Sequence, residues 1–171
     1  NLLWGTHDHD EHGTLMAGVV AYGDLTAALE SSDEIILTHR LESVKILPPP
    51  PEKNAPHLWG YITSQAISLA QINAPERVRC ICMAVTADDD RDRGHPSSWS
   101  AELDQLASGA DDNTQRLIIV SAGNTANVTD AGQKYPDVQL TSSVQDPAQS
   151  WNAIAVGAYT KLTQITDPKL A

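Results

Sequence analysis

"RLIIVSAGN", residues 116–124, is the stretch that decides the fold. Leu117, Ile118, Ile119 and Val120 form an unbroken apolar run, and Ser121, Ala122 and Gly123 then lead into Asn124. A near-continuous apolar run of this length is the mark of a strand in a parallel sheet covered on both faces. The small residues predict a tight turn at its carboxyl end. Open α/β sheets place their ligands and chemistry at that end. An asparagine there can donate a side-chain hydrogen bond to developing negative charge. It can equally serve the turn, because asparagine tolerates left-handed backbone.

The neighbouring segments extend the pattern. "RVRCICMAV", 77–85, reads as a second strand, "LESVKIL", 41–47, as a third, and "AIAVGA", 153–158, as a last short one. Between them, "LWGYITSQAISLAQI", 58–72, sets Leu58, Ile62, Ala66, Leu69 and Ala70 on one helical stripe. "SSWSAELDQLASGA" carries Trp99, Leu103, Leu106 and Ala107 at helical spacing, with Ser97 or Ser98 as its cap. "TLMAGVVAY", 14–22, reads as a buried helix after an acidic loop. Four prolines, 48–51, cannot continue a strand or helix and form a stiff surface connection. The order predicts an α/β fold: a three-layer, doubly wound, mostly parallel sheet in one domain spanning 1–171.

Composition narrows the function. The formal net charge is -11 and the pI about 4.7, which argues against nucleic acid or an anionic membrane as partner. No apolar run is long enough to cross a bilayer. Cys80 and Cys82, two apart on a strand, point to the same face and are expected to be buried thiols. The start, "NLLWGTHDHDEHG", has neither a basic region nor an initiator Met, so the chain is expected to be a piece of something longer.

A second informative stretch is "HDHDEHGTLMAG", 7–18. The zinc pattern His-Glu-x-x-His is absent, and its inverted form would need a histidine where Asp8 stands. His7, Asp8 and His9 read as a solvated loop; a metal module built on His7, His9 and His12 is the rival reading. His12 precedes Gly13, Thr14 and the small residues Ala17 and Gly18, where the backbone turns tightly into a helix. A histidine fixed there suits a general base, or simply ends a loop. "NVT" at 127–129 matches a glycosylation acceptor and is read as chance, and "DAG" at Asp130 as turn chemistry.

Taken together, these motifs resemble the subtilisin-like serine proteases. "HGTLMAG" is similar to that family's His-Gly-Thr-x-Val-Ala-Gly motif, "VSAGN" to its oxyanion-hole motif, and "SVKIL" to its Ala-Val-Lys-Val-Leu strand. "YPDVQ" followed by "WNAIAVGAY" resembles its Tyr-Pro segment and Ile-Ala-Val-Gly-Ala strand. The motifs come in the family's order and cover nearly the whole chain. The resemblance implies a serine endopeptidase acting on polypeptides, with His12 as general base and Asn124 as oxyanion donor. It implies no cofactor, and no calcium ligand set is evident.

Two departures qualify it. In the family the triad runs Asp, His, Ser. No Asp-Ser/Thr-Gly motif precedes His12, and no Gly-Thr-Ser occurs anywhere. The chain is therefore expected to be an incomplete, internal piece of a catalytic domain. It lacks the strand that carries the aspartate, which in the family lies between those matching 42–47 and 78–85, and it lacks the segment that carries the serine. Such a gap predicts self-association of the truncated chain. The second departure is Ala84, Val85 and Thr86, which stand where the family has Ser-Leu-Gly, the segment that pairs with substrate and walls the primary specificity pocket. Thr86 adds a side chain at that wall. This departure keeps alive a non-catalytic, peptide-binding alternative. The prolines at 48–51 fall where the family forms another wall of the groove, or serve as a rigid connector.

Overall fold

A computed structural model describes residues 4–87, 94–124 and 137–159. The "NVT" and "DAG" stretches and Tyr135-Pro136 lie outside them.

The element order begins with two helices, α1 (His12–Tyr22) and α2 (Leu25–Glu30). A single 3-10 turn, Pro56–Leu58, leads into α3 (Trp59–Asn73). Strand β1 (Cys80–Met83), helix α4 (Ser98–Ser108) and strand β2 (Leu117–Ser121) follow, then α5 (Asp137–Thr141) and β3 (Ile154–Val156). The three strands form one sheet in the order β1-β2-β3, parallel throughout. The register sets Met83 opposite Val120, and Val120 opposite Ala155.

Helices α3 and α4 cover one face of this sheet. Ile118, Val120 and Met83 point into them and meet Ile67, Trp99, Leu103 and Ala107, which together form the core. Burying such side chains stabilises the fold by about 25 cal/mol per Å² of apolar surface removed from water. Trp59 and Trp99 stack at 5.1 Å between ring centroids. Their helices are also tied by Thr63, whose hydroxyl accepts from Trp99 Nε1 and donates to Trp59 O. Helix α4 starts with a reciprocal cap: Ser97 Oγ accepts from Ser100 N, and Ser100 Oγ accepts from Ser97 N. It ends at Gly109 with φ 72°, where a Cβ would lie 2.7 Å from the Thr114 backbone, so only glycine fits. Arg116, at the start of β2, bonds Leu106 O, Gln71 Oε1 and the Asp112 carboxylate, joining α3, α4 and the sheet.

The structure corrects several expectations. Helix α1 begins at His12, two residues earlier than the apolar pattern, and buries no residue. The stripe on α3 is turned: Thr63 and Ile67 are buried, while Leu58 and Leu69 are exposed. Thr63 is tolerated inside because both of its hydrogen-bonding roles are used. The expected strand over 41–47 forms no ladder. Among the described residues no neighbouring strand receives its backbone groups, and side chains hold it instead. Glu42 pairs with Arg77 and Arg79, Lys45 Nζ donates to His7 O, and Asn54 Nδ2 donates to Ile46 O. Cys80 and Cys82, expected to be buried, are exposed free thiols. They lie on the sheet face opposite α3 and α4, with Leu117 and Ile154, which are also exposed. Among the described residues no helix layer covers that face. Nor is any helix among them long and apolar enough to cross a membrane.

Candidate active site

The parallel order gives the sheet one carboxyl edge, and the residues singled out in the sequence gather there. Ala84, Val85 and Thr86 follow β1 directly, and Asn124 follows β2 by three residues. His12 is the first residue of α1, and its Nε2 lies 3.2 Å from Ala84 O. A carbonyl can only accept, so Nε2 carries the proton in this contact.

Asp8 fixes the start of α1. Its Oδ2 accepts from Thr14 N at 2.8 Å and from Thr14 Oγ1 at 2.7 Å. These bonds, the hydroxyl's first, hold the Asp8 carboxyl below its ordinary value. Asp8 stays in the solvent-open loop ahead of α1 and from there holds the Thr14 N–H of its first turn, a role the sequence reading did not assign. The Asp-x-x-x-x-x-Thr spacing was visible, but an acceptor six residues ahead of its donor has no standard signature. His7 and His9 meet edge to face at 4.7 Å. Among the described residues no group of three or more His, Cys, Asp or Glu could hold a metal ion.

Asn124 is exposed, and its side-chain amide makes no hydrogen bond to the described residues. Its backbone, by contrast, is clasped. Asn124 N donates to Gln145 Oε1 and Asn124 O accepts from Gln145 Nε2, both at 2.9 Å. Thr86 Oγ1 donates to the same Oε1 at 3.2 Å. Gln145 was not visible as a site residue, since nothing in the sequence ties it to Asn124 across 21 positions.

A cavity of about 350 Å³ opens beside this edge. Pro48, Pro50, Pro51, Val85, Thr86, Trp59 and Trp99 are among the residues that line it. The proline segment and two residues of the 84–86 segment thus border one cavity. Val85 also packs against the core. The carboxyl edge thus carries an imidazole beside β1 and a side-chain amide beyond β2, with the cavity opening next to them and lined by neither.

The chain matches the subtilase family model over residues 4–168. No curated protein and no solved structure matches it.

Proposed function

Because the chain belongs to the subtilase family, we propose that it is an internal part of a serine endopeptidase catalytic domain and carries two of its working groups. His12 is the general base and Asn124 the oxyanion donor. The triad aspartate and serine come from chain outside these 171 residues. The serine hydroxyl attacks a peptide carbonyl while His12 takes its proton, and the carbonyl oxygen becomes an oxyanion that Asn124 hydrogen-bonds. His12 then returns the proton to the departing amine, and water releases the acyl group by the same route. The substrate is an extended polypeptide lying along Ala84–Thr86 and the proline wall, held chiefly by backbone pairing.

One observation supports this reading above the others: the imidazole of His12 lies against Ala84 at the carboxyl edge of β1, and Asn124 stands at the same edge of the adjacent β2. Base and oxyanion donor must approach one carbon from different directions, and two neighbouring strand ends allow that. To serve a serine, Nε2 has to leave Ala84 O and accept instead, with the aspartate taking Nδ1–H.

The test compares this chain with the full-length protein. Alone, residues 1–171 leave casein intact and take up no fluorophosphonate probe. The full-length protein cleaves casein and is labelled at a serine outside residues 1–171. Labelling of Ser121 or Ser142 in the short chain overturns the assignment. Peptide binding without hydrolysis by the full-length protein favours the non-catalytic alternative.

A further inference from the structure

We infer that Gln145 is a positioning residue that sets the direction of the Asn124 side chain, by clasping both backbone polar groups of Asn124 and tying them to the substrate-binding segment at Thr86. The inference rests on the reading of Asn124 as oxyanion donor.

Gln145 is 8% exposed and makes four hydrogen bonds across the carboxyl edge. Its backbone N–H donates to Ala122 O at 2.9 Å. Its side-chain amide closes a two-bond ring with the Asn124 backbone and accepts the Thr86 hydroxyl. A two-bond ring of this kind is what a neighbouring strand residue would offer. Ala122 N still donates to Val156 O, and beyond that bond Gln145 takes the place of a strand partner for Asn124 among the described residues. The amide can sit only one way round, because Asn124 N–H only donates and Asn124 O only accepts.

The close approach has a requirement in the sequence. Gly123 has φ 99°, and a Cβ there would lie 2.4 Å from Gln145 Oε1. Glycine is needed at 123 both for the backbone conformation and to let the amide in. The next residue extends the tie, since Asp146 O accepts from Ala87 N at 2.8 Å and its carboxylate accepts from Ser97 Oγ. Segment 145–146 thus registers the ends of β1 and β2 against each other. Asn124 itself is exposed, and its amide bonds none of the described residues. The backbone therefore fixes the point and the Cα–Cβ direction from which that amide reaches out, and the backbone is held by Gln145. An oxyanion donor depends on being aimed before the charge develops.

The experiment has two arms. In the 171-residue chain, hydrogen exchange at Asn124 N–H is slow, and Gln145→Met speeds it at least about tenfold. Methionine keeps the length of the side chain and removes all three of its bonds, two to Asn124 and one to Thr86. Equal exchange in the two proteins overturns the clasp, whatever the chain does catalytically. In the full-length protease, Gln145→Met lowers kcat about ten- to a hundredfold with KM within about twofold. Gln145→Glu, which keeps the acceptor and loses the donor, falls between. On an Asn124→Ala background, Gln145→Met costs nothing further, because there is no donor left to aim. Additive losses in that cycle, or a loss confined to KM, show a merely structural role and overturn the inference. If Asn124→Ala alone leaves kcat unchanged, the oxyanion reading fails, and the exchange arm still decides the clasp.

Discussion

At Asp8 one carboxylate oxygen takes both the N–H and the hydroxyl of Thr14, and through them sets where His12 begins its helix. The bonds hold the Asp8 carboxyl below the ordinary aspartate value. Glu42 is lowered in the same way, by Arg79 first and then Arg77, and Asp112 by Arg116. For a carboxylate whose folded value is depressed, the stabilisation is fully present above the unfolded value. It is lost as pH falls through the folded one. Residue-resolved titration should therefore show the Thr14 amide moving with a midpoint below the ordinary aspartate range, and Asp8→Asn should abolish that movement. At the end of the adjacent strand, Asn124→Ala should reduce turnover of the full-length protease about a hundred- to a thousandfold with little change in KM. That scale is known from a member of this family rather than derived from this chain. The places of His12 at a helix start and Asn124 beyond a strand end were legible because each sits in a motif with small residues around it. Asp8 and Gln145 were not, because their work is done by hydrogen bonds that sequence spacing does not encode.

Helix α4 is the element whose reading survived most completely. Trp99, Leu103 and Ala107 are buried at the expected spacing, and the cap is Ser97. Both features lead to stability predictions. Leu103 is 0% exposed and lies at the centre of the core, so Leu103→Ala should destabilise by about 2–5 kcal/mol. Ser97→Ala removes the reciprocal cap and should cost about 1 kcal/mol. Denaturant melts of both variants check this, and Leu103→Ala must show the larger shift in midpoint. The segment 41–47 shows the converse. Its residues suit a strand, but a strand is completed by its neighbours, and here, among the described residues, Glu42, Lys45 and Ile46 O are engaged through side chains instead. Sequence pattern reports which residues suit a sheet, not whether a partner lies beside them.

For the whole molecule, the consequence lies on the sheet face away from α3 and α4. Parallel sheets are ordinarily covered on both sides. Here Cys80, Cys82, Leu117 and Ile154 are exposed, and α1 buries none of its apolar residues. The apolar runs in "RCICM" and "RLIIV" announced a two-sided core, and the described residues supply one side of it. The isolated chain should accordingly self-associate, with light scattering rising across a concentration series and both thiols losing reactivity as it does. A monomer at every concentration would contradict this. The central claim, that His12 is the base of a subtilase-type triad, is tested most directly by kcat/KM for peptide hydrolysis by the full-length protein with and without His12→Ala. The account predicts a fall of at least about ten-thousandfold, on a scale known from a relative in this family. Hydrolysis that survives His12→Ala within about tenfold would contradict it.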